Sequence, residues 1–463
     1  MNNTSRPFGI KDKLGYLFGD FGNDFTFLFS SSFLMKFYTD IMGVSAGVVG
    51  VVMMTARIVD AFTDVAMGRI CDKSRRTDQG KFRPWIKRMC GPVAITSFLM
   101  YQGSLSAMPY TFKVIYLFVT YILWGSVFYT SINIPYGSMA SSISADPGDR
   151  QSLSTFRTLG GMLAGALVTA GVPLIAFKRD DVLGIDVIDS KRFTVTAGVF
   201  SLLAIVCYLL CYYLTTERVH SKATAEAELN NNVFTMLKNA AKNRALISII
   251  AASVVMLLAQ LTMQQMSNYV YPVTYGNAKM ISLSTVLMTV GMAVAAIFAK
   301  PLSKKFGKAE VSVVSNLFAG VVNLMLYFIR PESVYVYIAI QGLSWIGLGV
   351  FAMVSWALIT DVIDYSEIRN GIREDGSVYA LYSFARKLGQ AASSGVSGAL
   401  LSFIGYDAES ITDSVKAGIF DISTLVPAIG LILLAVILWF WYPLHKKQVD
   451  ENVRILKEKH GSA

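Results

Sequence analysis

The chain has 463 residues, of which 54% are hydrophobic and only 16% are charged. Soluble proteins carry about 25% charged residues, so this composition excludes a soluble protein and indicates one that crosses a membrane many times. The formal net charge of +10 does not indicate a nucleic-acid partner, because the basic residues cluster in short segments between apolar runs, which is typical of loops that face anionic membrane lipid.

Long apolar runs separated by charged breaks predict an all-α membrane protein. A helix needs roughly 20 mostly apolar residues to cross a bilayer, and the runs are long enough for this. The first residues are polar and the first apolar run is long, so we expect no cleaved signal peptide. The twelve predicted helices lie at 13–38, 44–70, 84–107, 112–142, 151–176, 193–216, 244–275, 281–303, 309–330, 333–364, 377–404 and 417–444.

The longest polar break predicts that the chain divides into two halves. It separates an N-terminal six-helix bundle at 1–216 from a C-terminal six-helix bundle at 244–445, with a cytoplasmic middle loop at 217–243 and a cytoplasmic tail at 446–463. Six plus six helices is the layout of major facilitator transporters, whose halves enclose a substrate site near the midplane. Lys and Arg are dense in the N-terminal segment, in the second, sixth and eighth breaks and in the tail, which predicts that both termini lie in the cytoplasm.

The first predicted helix carries two acidic residues among apolar ones. Asp20 and Asp24 are four residues apart and therefore share a helix face. Asp20 lies nearer the cytoplasmic end, where water can solvate it, whereas Asp24 lies deeper. A carboxylate that accepts paired hydroxyl hydrogen bonds is the usual sugar contact, so Asp24 is a candidate ligand group, with Asn23 next to it.

The second predicted helix contains the run RIVDAFTD at 57–64. Asp60 and Asp64 share one face, which Arg57 and Thr63 border. Carboxylates in hydrocarbon cost several kcal/mol each unless something pairs with them, and Arg57 offers one positive charge against two negative ones. The run therefore indicates a site for a coupling cation or proton. The alternative is a static ion pair with Arg57 that only holds helices together.

Polar residues also interrupt the fourth and fifth predicted helices. Thr130 and Asn133 are three residues apart, on one face of the fourth helix. Pro135 frees a backbone carbonyl one turn earlier, which can coordinate an ion, although a kink stabilised by local hydroxyl groups would explain the same residues. Arg157 follows on the fifth helix, either as a buried cation for Asp24 or as a side chain that reaches back to the inner surface.

The second half offers candidate gating and ligand residues. Asp361 and Asp364 end the tenth predicted helix at the expected cytoplasmic rim, where water solvates acids, and this position favours gating ion pairs over ligand binding. In the eleventh predicted helix, Lys387 lies one turn past Ser383 within an apolar run. Lys387 would supply the second positive charge that the acidic pair of the second helix needs.

The basic loop at 71–88, which contains Arg83, joins the second and third predicted helices. We expect it to anchor the inward face and to pair with acids near helix ends, such as Asp146 or Asp364. Charge reversal at Arg83 would then slow conformational exchange more than it weakens ligand affinity.

These motifs together resemble the glycoside–pentoside–hexuronide:cation symporter family, the melibiose and glucuronide carriers of bacteria. The match spans nearly all of the chain, in order, and the set is specific although each motif alone is weak. The motifs that carry it are ARIVDAFTD at 56–64, GKFRPW at 80–85, NIPYG at 133–137, DVIDY at 361–365 and YALYSFARK at 379–387.

The resemblance implies symport of a sugar with Na⁺ or H⁺ by alternating access, through a major facilitator fold in the cytoplasmic (inner) membrane of a bacterium. With the patterns above, it predicts a cation site, with Na⁺ as a candidate occupant, at Asp60, Asp64, Thr63 and Thr130. The predicted sugar-binding residues are Asp24, Asn23, Asn133, Arg157, Tyr382, Ser383 and Lys387. The predicted gating residues are Arg57, Arg83, Asp361 and Asp364. We expect a monomer, not an enzyme, that binds a sugar or glycoside, the coupling cation and membrane lipid, and that uses no other cofactor.

Two details refine this expectation. Gly137 and Ala352 stand where melibiose carriers have pocket tryptophans, which disfavours melibiose. The segments SWAL at 355–358 and YSFARK at 382–387 resemble the glucuronide-type branch more closely. Na⁺ prefers several oxygen ligands, whereas a proton needs only one carboxylate with a raised pKa. Thr63 and Thr130 add hydroxyl oxygens, and the resemblance implies proton coupling for relatives that carry alanine at the Thr63 position, so Thr63 favours Na⁺.

Three other functions fit parts of the sequence. A lysolipid or other amphiphile carrier of the same fold would have a wide apolar cavity instead of convergent polar groups. A membrane sensor that does not transport would share these sequence features, and counterflow in vesicles separates it from a carrier. An intramembrane enzyme would need a nucleophile–base pair or metal ligands at membrane depth, but the three histidines all fall in predicted loops or in the tail.

Overall fold

The computed structural model of the protein describes residues 6–219, 243–370 and 375–461. Most of this part of the chain is helical, as the apolar runs predict. The helices, numbered in chain order, are α1 (Ile10–Asp40), α2 (Ala46–Lys73), α3 (Arg83–Leu99), α4 (Tyr110–Ile122), α5 (Thr130–Ile143), α6 (Pro147–Ala176), α7 (Ser190–Leu214), α8 (Arg244–Tyr269), α9 (Lys279–Phe306), α10 (Lys308–Ile329), α11 (Val334–Asn370), α12 (Asp375–Phe403), α13 (Asp413–Val436) and α14 (Lys446–Gly461).

Nine helical segments in the described ranges are long and apolar enough to cross a membrane. One of them, Tyr110–Ile143, contains both α4 and α5. The helices α1, α3, α12 and α14 are outside this set: α1 carries Asp20, Asn23 and Asp24 in its middle, and α3 and α14 have only 17 and 16 residues. The polar residues that mark the candidate site thus make α1 less apolar than its neighbours.

A β-hairpin between α6 and α7 corrects the all-α prediction. Strands β1 (Phe177–Asp180) and β2 (Ile185–Ile188) pair antiparallel in the break where acidic and basic residues are mixed. The Asp180 carboxylate accepts the backbone N–H groups of Val182 and Leu183, a local bond that favours a turn. Gly184 completes the turn with a φ of +66°, which a residue without Cβ adopts readily.

Two further segments differ from the sequence prediction. The predicted fourth helix contains a π-helical turn at Leu123–Tyr129, which joins α4 to α5. The tail, predicted only as a cytoplasmic segment, forms α14. Most of the predicted middle loop, at 220–242, lies outside the described residues.

The described residues form two compact units. In the first unit, α1 packs along α6 and α7, and α3 packs on α7. In the second unit, α10 packs against α11 and α13, and α13 also packs against α8. The first unit consists of 6–219 with Gly276–Ser282 and Leu401–Ile411, and the second of 243–275, 283–370, 375–400 and 412–461.

Candidate functional site

Two carboxylates on α2 face two hydroxyl groups on the helix formed by α4 and α5. Ser126 Oγ donates a hydrogen bond to Asp60 Oδ1, and Thr130 Oγ1 donates one of 2.8 Å to Asp64 Oδ1. Asp60 and Asp64 are four residues apart, and so are Ser126 and Thr130. Equal spacing on two neighbouring helices lets the pairs meet one turn apart. We call these four residues the acid–hydroxyl ladder.

Arg57 is the positive charge at one end of the ladder. Its Nη1 lies 3.5 Å from Asp60 Oδ2, and its Nη2 donates to Ser31 Oγ at 3.3 Å. The guanidinium also lies over the rings of Phe27, at 4.7 Å, and Tyr121, at 5.9 Å. The ion pair that the static alternative requires is therefore present, and the gating role of Arg57 stays a prediction.

Thr63, the remaining predicted cation ligand, lies on α2 between the two acids. Its Oγ1 donates a hydrogen bond of 3.2 Å to the backbone carbonyl of Asp60. A threonine hydroxyl keeps acceptor lone pairs when it donates, so this bond is compatible with a cation ligand. The role of Thr63 stays a prediction.

The π-helical turn contributes a residue to the ladder that the sequence prediction missed. Thr130 Oγ1 and the Thr130 backbone N–H both bond to the carbonyl of Gly125, five residues earlier. Ser126, on this turn, is only 4% exposed. The sequence spacing could have revealed Ser126, because Ser126 and Thr130 have the same four-residue spacing as Asp60 and Asp64.

The Arg157 side chain, on α6, makes its direct ion pair with Asp20 on α1. Arg157 Nε lies 3.1 Å from Asp20 Oδ1, and its guanidinium lies over the Tyr136 ring at 5.3 Å. The direct ion-pair partner of Arg157 is therefore Asp20, and the role of Arg157 as a cation for Asp24 stays a prediction. Asp20 is paired by this contact instead of being left to water.

The carboxylates of Asp24 and Asp20 both lie next to Gly161, in the space that a side chain at this position would fill. A Cβ added to Gly161 would be 2.9 Å from Asp20 Oδ2 and 2.9 Å from Asp24 Oδ2. In 6–219, 243–370 and 375–461, no hydrogen bond or ion pair engages the Asp24 side chain. Its oxygens therefore remain available to a ligand.

The two asparagines predicted to bind sugar are bonded to each other and to α7. Asn23 Nδ2 donates to Asn133 Oδ1 at 3.4 Å, and Tyr208 Oη donates to Asn23 Oδ1 at 3.0 Å. These bonds connect α1, α5 and α7 next to Asp24. Tyr208 is a residue that sequence reasoning did not single out, since buried tyrosines are common in membrane helices.

The predicted ligands of α12 lie in the second unit. Tyr382 is fully buried, and its hydroxyl is 2.8 Å from Ser253 Oγ. Its ring packs edge-on against Trp356, and the Arg386 guanidinium lies 5.7 Å from that ring. Ser383 is exposed and Lys387 is partly buried on the same helix. Their roles in sugar binding stay predictions.

An ion pair holds Asp361, one of the predicted gating acids. Lys308 Nζ, at the start of α10, lies 2.6 Å from Asp361 Oδ1 and 3.4 Å from the Ala357 carbonyl. Asp361 is only 6% exposed, so this bond is shielded from solvent more than a surface pair. Asp364 lies one turn further on, partly buried. The gating roles of both residues stay predictions.

The basic loop before α3 binds a carboxylate through its backbone. Glu217 Oε2 accepts the N–H of Lys81 at 2.7 Å, and Oε1 accepts the N–H groups of Phe82 and Arg83, each at 2.8 Å. Successive N–H groups of this kind form an anion-binding nest. Gly80 has a φ of +112°, and a Cβ there would be 2.5 Å from Glu217 Oε1. Glycine is therefore required for this close approach.

The side chain of Arg83 has different partners from those expected. Its Nη2 donates to the Tyr212 carbonyl at 2.7 Å, and the guanidinium lies over the Tyr212 ring at 4.7 Å. Asp146, one of the acids predicted to pair with the loop, instead caps α6 by accepting the N–H of Asp149 at 2.9 Å. The loop is thus fixed to the end of α7 by hydrogen bonds and by the acid Glu217.

Glu217→Gln is expected to loosen this loop. The amide nitrogen of glutamine cannot accept a hydrogen bond, so at least one buried N–H group loses its partner, which costs roughly 1–3 kcal/mol. We expect a lower unfolding temperature and faster tryptic cleavage after Lys81, whereas Pro84 protects the bond after Arg83 in every variant. The exposed Glu332→Gln is the matched control. Equal cleavage rates in both variants would contradict the structural role of Glu217.

Comparison with known proteins identifies similar sequences along nearly the whole chain. The model of the family described as MFS/sugar transport protein matches residues 15–446. The chain is 30% identical to the glucuronide carrier protein homolog of Escherichia coli (strain K12), over 95% of this chain and 94% of that protein. It is 28% identical to the isoprimeverose transporter of Lactiplantibacillus pentosus, over 97% of this chain and 92% of that protein. A mutant of the nucleoside transporter NupG has a similar fold, with a TM-score of 0.68 and 14% identity over 94% of this chain and 100% of that chain.

Proposed function

Because the chain belongs to the MFS/sugar transport protein family, we propose that it imports a sugar by cation-coupled symport. Its family and relatives are major facilitator transporters of the glycoside–pentoside–hexuronide symporter type, so the chain is a multi-pass membrane transporter and not an enzyme. The proposed substrate is a glycoside, pentoside or hexuronide, and the proposed coupling ion is Na⁺ or H⁺. No other cofactor takes part in the proposed cycle.

The proposed arrangement in the membrane has twelve spans and alternating access. One half at 1–216 and one at 244–445 each contribute six spans, and the middle loop at 217–243, the tail and both termini face the cytoplasm. The density of Lys and Arg in the loops supports this orientation. The location is the inner membrane of a bacterium, and the working unit is a monomer surrounded by lipid.

The acid–hydroxyl ladder is the observation that carries the coupling proposal. Two carboxylates in a membrane helix are costly unless they have a function or a partner. Here each accepts a hydrogen bond from a hydroxyl group on the helix formed by α4 and α5. Carboxylate and hydroxyl oxygens are ligands that hard cations prefer. We assign the coupling ion to Asp60, Asp64, Thr63 and Thr130, with Na⁺ as the preferred ion.

The sugar is assigned to Asp24 and to the other polar residues that the sequence predicts as its ligands. Its carboxylate is not engaged by any other side chain in the described ranges, and it can accept hydrogen bonds from two sugar hydroxyl groups. The rest of the proposed site consists of Asn23, Asn133, Arg157, Tyr382, Ser383 and Lys387. The relatives' names mention a glucuronide and isoprimeverose, which supports a sugar substrate here.

A ligand screen with the purified protein tests this proposal. Thermal unfolding is measured with a panel of glycosides, pentosides and uronides, each in NaCl and in choline chloride at fixed pH. A ligand that binds only the folded state raises the unfolding temperature. We expect at least one sugar to protect the protein, and to protect it more in Na⁺ than in choline. Thr63→Ala should reduce this effect of Na⁺. If no sugar in the panel protects the protein while a lysolipid does, the function is amphiphile transport.

Asp24→Asn is expected to weaken sugar binding. Hydrogen bonds to charged groups contribute about 1.5–3 kcal/mol, so the dissociation constant should rise roughly 10- to 100-fold. The measurement is the concentration of the protecting sugar that gives half of the thermal shift. Asp20→Asn removes the same charge one turn away and should weaken binding less. Equal losses in both variants would contradict a direct contact between Asp24 and the sugar.

A further inference from the structure

The two oxygens of the Asp60 carboxylate have different partners. Oδ2 faces the Arg57 guanidinium at 3.5 Å, and Oδ1 accepts the hydroxyl group of Ser126. Arg57 is a fixed charge, because rings and Ser31 also hold it. A mobile cation is therefore expected on the Oδ1 side, where the contact with Asp60 is made by a neutral group.

The π-helical turn brings its backbone close to that same oxygen. A Cβ added to Gly125 would be 3.2 Å from Asp60 Oδ1 and 3.4 Å from Oδ2. This is tighter than ordinary van der Waals contact, so glycine lets the turn approach the carboxylate closely. π-helical turns are rare and occur frequently at functional sites. The turn therefore positions the adjacent Ser126 against Asp60.

The Ser126 hydroxyl group can either donate a hydrogen bond to Asp60 or coordinate a cation. It has one donor hydrogen and two acceptor lone pairs. Without a cation, Ser126 donates its hydrogen to Asp60. When a cation binds Oδ1, rotation about the Cβ–Oγ bond turns a lone pair toward the cation and the hydrogen away from it. Thr130 can make the same exchange at Asp64, one turn along the ladder.

We propose that Ser126 is a ligand of the coupling cation and that it makes the site prefer Na⁺ to H⁺. The inference rests on the proposed function, because it requires a cation at Asp60 and Asp64. Na⁺ needs several oxygen ligands, so loss of one hydroxyl group weakens its binding. A proton bonds to a single carboxylate oxygen, so the same loss leaves proton binding in place. Ser126 is thus a specificity-determining residue.

Sodium alone, without sugar, is the probe for this inference. The unfolding temperature of the purified full-length protein is measured as NaCl replaces choline chloride at constant pH and ionic strength. Bound Na⁺ stabilises the folded state in proportion to the logarithm of its concentration over its dissociation constant. In Ser126→Ala, the Na⁺ concentration that gives half of the shift should rise roughly 10-fold. This is the change in affinity expected when one contact about as strong as a hydrogen bond is lost.

Three further variants make the result specific. Ser131→Ala removes a hydroxyl group that bonds to the Val127 carbonyl of its own helix at 2.6 Å, and it should titrate like the wild type. Gly125→Ala displaces the Asp60 carboxylate from the turn and should weaken the response to Na⁺ even if Ser126→Ala does not fold. Asp64→Asn should remove the response.

The outcomes separate the two levels of the proposal. If Ser126→Ala and Gly125→Ala titrate like the wild type while Asp64→Asn does not respond, the inference is overturned and the cation site stands. Equal weakening in Ser126→Ala and Ser131→Ala also overturns it, because the effect would then come from the helix in general. A wild-type protein that does not respond to Na⁺ overturns the assignment of Na⁺ to the ladder, whereas the ligand screen tests sugar transport independently.

Discussion

Asp60→Asn combined with Asp64→Asn is expected to abolish the accumulation of sugar against its gradient. Asparagine keeps the shape of aspartate and can still accept hydrogen bonds from Ser126 and Thr130, but it removes both negative charges that would hold a cation. Binding of the sugar no longer depends on the cation, so the expected accumulation ratio in cation-driven vesicles falls to 1, a complete loss. The measurement is uptake of labelled sugar into proteoliposomes with an imposed Na⁺ or H⁺ gradient.

Two controls show whether this loss concerns coupling alone. Exchange of labelled for unlabelled sugar across the vesicle membrane requires no cation gradient, and the double variant should retain part of it. Asp181→Asn, which removes an exposed acid in the hairpin turn, should accumulate sugar like the wild type. If the double variant still concentrates sugar, the cation does not bind at the acid–hydroxyl ladder.

Asp12→Ala is expected to cause the largest loss of stability in the first unit. Asp12 has no exposed side-chain surface, and it lies 2.9 Å from both Arg6 Nη2 and Arg218 Nη2. It also accepts the backbone N–H of Thr216 at 3.0 Å. Removing one partner of a buried ion pair leaves the other charge uncompensated, which costs about 3–5 kcal/mol. For a unit of this size, we expect the unfolding temperature to fall by on the order of 10 °C.

The matched control for this variant is Asp413→Ala. Both acids lie in the first turn of a helix, Asp12 in α1 and Asp413 in α13. The Asp413 side chain is 98% exposed and pairs with Lys416 at 3.3 Å, where water already solvates both charges. Its loss should leave the unfolding temperature nearly unchanged. Similar shifts in both variants, measured by tryptophan fluorescence in detergent, would contradict the account of Asp12.

Helix periodicity and the cost of charge in hydrocarbon were sufficient to find the acids of the ladder. Asp60 and Asp64 stand out because few acids lie inside apolar runs, and their spacing gives one face. Ser126 was missed because a serine in a membrane helix often bonds to its own backbone, as Ser131 does to Val127. Residue type therefore does not tell which serine bonds to another helix. The position of each serine relative to α2 decides this.

Contacts between segments far apart in sequence were harder to predict than helix faces. Arg157 makes its direct contact with Asp20, one turn from Asp24, and this choice depends on how α6 is rotated and shifted against α1. Glu217 was read as the start of a polar break, although its carboxylate binds the backbone of the loop at 81–83. Backbone N–H groups have no signature in the sequence, so only the structure reveals such a nest.

Sugar-driven cation movement tests the central claim most directly. Proteoliposomes are loaded with dyes that report internal Na⁺ and pH, and the sugar that protects the protein is added outside without an imposed ion gradient. A symporter carries the cation inward with the sugar, so internal Na⁺ should rise in the wild type and remain constant when Asp60 and Asp64 are both replaced by asparagine. Entry of labelled sugar with no change in internal Na⁺ or pH would contradict coupled transport.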